Sequence, residues 1–68
     1  MENWIKVFET QAQVRAEIVK GVLEERGIQA VVLNKKETVY QIFGTYQVLV
    51  QRDDSISAAT IVKNEITF

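Results

Sequence analysis

The chain contains neither cysteine nor histidine. Without cysteine, no disulfide framework and no thiolate metal site can reinforce a small core. Without histidine, the commonest general base, the commonest zinc ligand and the Ser-His and Cys-His nucleophile pairings are all missing. An excess of one charge is missing too: eight basic and nine acidic residues give a formal net charge of −1, with signs mixed along the chain. A nucleic-acid-binding domain is expected to carry a basic stripe, because phosphate contacts supply most of its affinity. Only Lys35-Lys36 hints at one. The apolar runs are a few residues long, against the ~20 needed to cross a bilayer. The start "MENWIKV" also lacks the charged-then-apolar pattern of a signal peptide. Together these absences imply a non-enzymatic cytoplasmic protein with no metal, no cofactor and no membrane attachment. A chain of 68 residues is expected to form one domain, residues 1–68. Such a domain buries only about 60% of the surface its unfolded chain exposes, so self-association would add to a marginal stability.

What is present reads as alternating strands and helices. "WIKVF", Trp4 to Phe8, is short and rich in β-branched and aromatic residues, which predicts a first strand. Thr10 and Gln13 have the spacing of a capping box, which predicts a helix starting there. Ala12, Ala16, Val19 and Leu23, with Val22 beside them, form one apolar stripe at helical period. Gly27 stands where the helix needs a left-handed residue to end. "IQAVVL", Ile28 to Leu33, and "YQVLVQ", Tyr46 to Gln51, predict two further strands. Asp53, Asp54 and Ser55 offer N-cap side chains and negative charge to a second helix, whose core side would be Ile56, Ala59, Val62 and Ile66. Asn64 could end that helix, and "EITF" could add a short fourth strand.

This order, β-α-β-β-α with a possible last strand, is that of the α+β ferredoxin-like split β-α-β unit. Both helices would cover one face of an antiparallel or mixed sheet, with the third strand filling the gap between the first two. Side-chain alternation directs Ile5, Val7, Ile28, Ala30, Val32, Val48 and Val50 at the helices. The open face then receives Trp4, Phe8, Val31, Leu33 and Leu49, diluted by Lys6, Gln29 and Gln47. A patch that apolar marks an interaction surface or is covered by another part of the chain. The connection "NKKETVYQIFGTY", Asn34 to Tyr46, is too rich in large apolar side chains for a plain turn. It is either the cover or a second contact surface.

The whole chain resembles a family of small bacterial domains described as putative prokaryotic signal-transducing proteins. The resemblance rests on "WIKVFET", on "VLEERGIQAVV" at the end of the first helix, on "NKKETVYQIFG" in the connection, and on "VLV" followed by "DDSISA". None of these is a catalytic signature. The family is similar in fold to nitrogen-regulatory proteins of the P-II type, which are ferredoxin-like and touch partners through a long connection between their second and third strands. The resemblance therefore implies a regulatory or binding role. It does not extend to nucleotide binding: the connection is shorter here, and neither a phosphate-cradling glycine loop nor a basic cluster for ATP is seen. The junction "VQRDD" also lacks the proline frequent in related sequences, which affects only the turn.

Two groups of residues are candidates for function. Asn34, Lys35, Lys36, Tyr40, Phe43 and Gly44 would meet a protein or small ligand through the connection, where aromatics can anchor an interface. Trp4, Phe8, Val31, Leu33 and Leu49 would join copies into a homodimer or higher oligomer. Each also has a purely structural reading: the lysines keep a hairpin tip soluble, Gly44 makes a turn, and the aromatics pack as a lid. Asp53-Asp54 reads as a helix cap rather than a metal pair, since adjacent residues point apart. Trp4 and Phe8 on a first strand invite comparison with RNA-stacking aromatics, but Gln47, Leu49 and Gln51 on the central strand do not continue the pattern. Nucleic acid is therefore disfavoured as a partner. Two alternatives stay open: a weak single-stranded nucleic-acid binder using Trp4, Phe8, Lys6 and Lys35-Lys36, and a subunit whose active site, with Tyr40 and Lys36, forms only on oligomerisation. Gly21 and Val14 fall on the polar side of the first helix without an evident reason.

Overall fold

Among the described residues the β-branched runs form a three-stranded sheet in which the third strand in chain order lies in the middle. The computed structural model describes residues 3–36 and 44–66. In chain order these are β1 (Trp4–Thr10), α1 (Gln13–Glu25), β2 (Ala30–Lys36), β3 (Gly44–Gln51), a 3₁₀ turn (Arg52–Asp54) and α2 (Ser55–Glu65). β3 pairs antiparallel with both β1 and β2. This is the α+β arrangement in β-α-β-β-α order read from the sequence, consistent with a ferredoxin-like fold. The helices share one face of the sheet, because Ala16, Val19 and Leu23 of α1 and Ala58 of α2 join Ala30, Val48 and Val50 in a single buried cluster.

Local chemistry explains where α1 ends better than where it begins. Gly27 takes φ +82, as a C-terminal left-handed residue must. The Gly27 amide donates to the Glu24 carbonyl at 3.0 Å, and the Ile28 amide to the Leu23 carbonyl at 2.9 Å. This is the Schellman arrangement, and its hydrophobic partners, Ile28 and Leu23, are both buried. At the other end the capping-box expectation is overturned: the helix starts at Gln13 with Ala12 as N-cap, and no side chain caps it. β1 continues through Thr10, whose hydroxyl accepts from the Ala12 amide at 3.1 Å and so turns the chain before the helix.

α2 corrects a second expectation. Ile56 and Ala59 are exposed, and the side chains turned to the core are Ala58, buried, with Ile61, Val62 and Ile66 packed against it. The helix carries apolar residues on several sides, so period alone leaves its rotation open. The 3₁₀ turn leading into α2 is held beside the start of β1 by the Arg52 amide donating to the Asn3 carbonyl at 2.8 Å, and the Ser55 hydroxyl donates to the Arg52 carbonyl at 2.8 Å. Asp53 and Asp54 lie in the 3₁₀ turn just before α2, with Asp54 at its N-cap position and so near the positive end of the helix dipole, but neither makes a side-chain cap. α2 runs to Glu65, one residue past Asn64, and an ion pair from Arg26 to Glu65 joins the C-terminal ends of the two helices. Ile66 is extended, and the rest of the expected fourth strand, Thr67 and Phe68, lies outside the described residues.

The candidate site on the open sheet face

The register of the central strand decides which side chains share the face away from the helices. Directly paired residues of an antiparallel ladder lie on the same side of the sheet. Lys6, Leu49 and Val31 therefore form one row, and Glu9, Gln47 and Leu33 the next. Trp4, paired with Gln51, sits diagonally from Leu49. Four of the five residues expected on this face, Trp4, Val31, Leu33 and Leu49, are brought together there.

Phe8 is the exception, and the cause is a β-bulge. The register between β1 and β3 shifts between Lys6 and Phe8, leaving Val7 as the extra residue. One added residue inverts the alternation beyond it. Phe8 pairs with Val48 and packs against the helix-side cluster, as does Val7. Its expected place on the open face is thus corrected, and with it goes the pair of first-strand aromatics that suggested RNA stacking.

The bulge also creates a polar network not foreseen from the sequence. In a regular strand Lys6 and Glu9, three apart, would project from opposite faces. With Val7 extra they meet: the Lys6 ammonium lies 3.1 Å from one Glu9 carboxylate oxygen, and the Gln47 side-chain amide donates to the other at 3.2 Å. Hydrogen bonds from Gln47, Lys6 and Thr45 hold the Glu9 carboxyl below its ordinary pKa. The spacing Lys-Val-Phe-Glu carries this signal only if a bulge is already suspected.

Burial on this face is uneven. Leu49 is only 6% exposed although it does not belong to the helix-side cluster. Trp4, Val31 and Leu33 are half-buried, while Lys6 and Glu9 are exposed. The face is therefore a band of leucine and valine beside an ordered acid–base–amide group, with the indole at one corner.

The second candidate group divides. The ladder continues through Asn34↔Tyr46, Lys35↔Thr45 and Lys36↔Gly44, so the ends of the expected connection are strand rather than loop. Asn34 is exposed, Tyr46 packs against the core cluster, and Gly44 opens β3. The remaining connection, residues 37–43, with Tyr40 and Phe43, lies outside the described residues. A separate small hollow of about 200 Å³ is lined by Asn3, Gln51, Arg52 and Asp53. Its polar lining and its size are unlike the larger, mostly apolar pockets that hold small ligands. Among the described residues no three His, Cys, Asp or Glu side chains are grouped as metal ligands. No described helix is long and apolar enough to cross a membrane.

Neither the curated proteins nor the solved structures contain a match. One family profile does match, over residues 4–66, which takes in every strand and helix described above. The chain therefore belongs to the family described as "putative prokaryotic signal transducing protein".

Proposed function

We propose that this protein is a non-enzymatic regulatory or adaptor module of the bacterial cytoplasm. It self-associates through Trp4, Val31, Leu33 and Leu49 on the open sheet face, and it binds a protein or small ligand through the segment from Asn34 to Tyr46. The observation that carries the reading is the asymmetry of the sheet. Both helices pack on one side, and the other side carries a band of large apolar residues, half-buried Trp4, Val31 and Leu33 around a nearly buried Leu49, with no helix over it among the described residues. Contiguous apolar surface of that kind is characteristic of interfaces. A two-fold partner would meet the same band, so that each Leu33 and Val31 packs on its equivalent. The family description, which points to signal transduction, supports a regulatory role.

The test is sedimentation equilibrium of the wild type and of Leu33→Asp across the micromolar range. The expected result is a dimer that becomes a folded monomer in the variant, because a carboxylate placed in an apolar interface cannot be paired there. A wild type that stays monomeric throughout that range counts against the reading. For the ligand-binding segment, Tyr40→Ala with Phe43→Ala is expected to abolish capture of the partner from bacterial lysate while leaving the dimer intact.

A further inference from the structure

The open sheet face is striped by strand. The register places Lys6 and Glu9 in the β1 column, Leu49 and Gln47 in the β3 column, and Val31 and Leu33 in the β2 column. Charge therefore lies on one side of the face and aliphatic surface on the other, with a mixed column between them. The rows Lys6–Leu49–Val31 and Glu9–Gln47–Leu33 stand two residues of β3 apart, about 7 Å. The bulge at Val7 is what gives the β1 column one charge of each sign in these successive rows, since in a regular strand Lys6 and Glu9 would project from opposite faces. Their own chain does not use them up. Among the described residues the Lys6 ammonium spends one of its three donors, on Glu9. The two side chains stay 49% and 39% exposed.

The stripes restrict how a second copy can sit on this face. Aligned sheets packed face to face keep their strand directions within about 30° of each other, so a two-fold axis between them runs either along the strands or across them. An axis along the strands turns the β1 column of each copy onto the β2 column of the other. Lys6 and Glu9 would then leave water for Val31 and Leu33, which offer no hydrogen bond. An axis across the strands, passing between the two rows, lays each column on its own counterpart with the rows exchanged. The Val31–Leu33 pair packs on its equivalent pair, and Lys6 of each copy faces Glu9 of the other. Each ammonium then lies between two carboxylates and each carboxylate between two ammoniums, an alternation that offsets the cost of taking the charges out of water. We infer that the open face takes a second copy of this chain about a two-fold axis across the strands, with reciprocal Lys6–Glu9 pairs between the copies selecting both the partner and its orientation. This orientation rests on the self-association proposed above and adds to it the residues that make the contact specific.

The test is a charge swap divided between two chains and read by sedimentation equilibrium. In a dimer of Lys6→Glu only carboxylates converge, and in a dimer of Glu9→Lys only ammoniums, so each variant is expected to self-associate at least about tenfold more weakly than the wild type. Mixed in equal amounts, the two variants face each other with opposite charges, and the mixture is expected to dimerise at least about tenfold more tightly than either variant alone. The contact within each chain is like-signed before and after mixing, so the recovery reports only the contact between copies. The pair is exposed and adds little to the stability of the monomer, so both variants are expected to stay folded, with urea midpoints close to that of the wild type. Lys6→Glu with Glu9→Lys in one chain keeps every contact opposite-signed and is expected to dimerise as the wild type does. Lys63→Glu mixed with Glu17→Lys makes the same charge changes on the helices and is expected to leave dimerisation as it was. A wild-type dimer that either single variant leaves intact overturns the orientation while the self-association stands. So does a mixture as weak as its components, a one-chain swap that stays monomeric, or an equal effect of the helix-side pair. A wild type that is monomeric throughout removes the self-association itself, and the orientation with it.

Discussion

The two faces of β3 carry neighbouring residues of one strand into opposite environments. Val48 and Val50 are fully buried under two helices, in a cluster without a polar side chain. Leu49, between them, points the other way and is nearly as buried, but it shares its face with Lys6, Glu9 and Gln47. Depth of burial alone therefore does not separate the core from the candidate interface. What separates them is company: a core side chain is surrounded by elements whose only role is to cover it, whereas Leu49 lies among groups that also hydrogen-bond to each other in solvent.

The sharpest way to break the comparison is to delete volume on each side. Leu23→Ala, on the helix side and fully buried, is expected to destabilise by about 3 kcal/mol, as lost transfer free energy and an unrelaxed cavity add. Much of the stability of so small a domain would be lost, visible as a collapse of the urea midpoint. Leu49→Ala is expected to lower monomer stability by about 1–2 kcal/mol, because its neighbours on that face can rearrange or be solvated. A loss at Leu49 equal to that at Leu23 would make the open face an ordinary second core.

Two glycines sharpen the contrast between fold and surface. Gly27→Ala is expected to destabilise by about 1 kcal/mol, since the Schellman turn holds that residue at φ +82. Gly21→Ala should do the reverse and stabilise by about 0.5–1 kcal/mol, because its site is helical and open. Thermal unfolding of both variants checks the pair.

The smallest effect concerns Glu9. Its carboxyl is held below the ordinary value by Gln47, then Lys6 and Thr45. The sign follows: stability from this network is complete above the ordinary glutamate pKa and is lost as pH falls through the lowered value in the fold. Glu9→Gln should therefore reduce stability slightly at neutral pH and flatten its decline in acid, measured by urea titrations at pH 7 and pH 3. An unchanged acid limb would show that the group does not act as a unit.

How legible the molecule was depends on the range of the forces involved. The strand–helix order, the exit from α1 and the antiparallel place of β3 rest on patterns within a few residues or on simple chain geometry, and all three appear in the structure. The candidate face was mostly legible, since period-two alternation holds along β2 and β3 and assigns Val31, Leu33 and Leu49 together. It failed for Phe8, where nothing in "IKVFE" announces an extra residue.

By itself, then, the sequence determined the order of strands and helices, through side-chain period, and where α1 stops, through the one backbone conformation that glycine alone adopts freely; the second strand, expected over Ile28 to Leu33, instead runs Ala30–Lys36 because the Schellman turn takes Ile28 and the ladder to β3 continues to Lys36. Only the tertiary structure decided the inversion after Val7 and the rotation of α2 onto Ala58. The bulge lets both Val7 and Phe8 pack against the helix-side cluster, a contact made only once the helices lie on the sheet. A helix that is apolar on several sides is oriented by what it packs against, here the core cluster that Ala58 joins and that Ile61 and Val62 flank. Neither choice is local, so neither is written in any short stretch of residues.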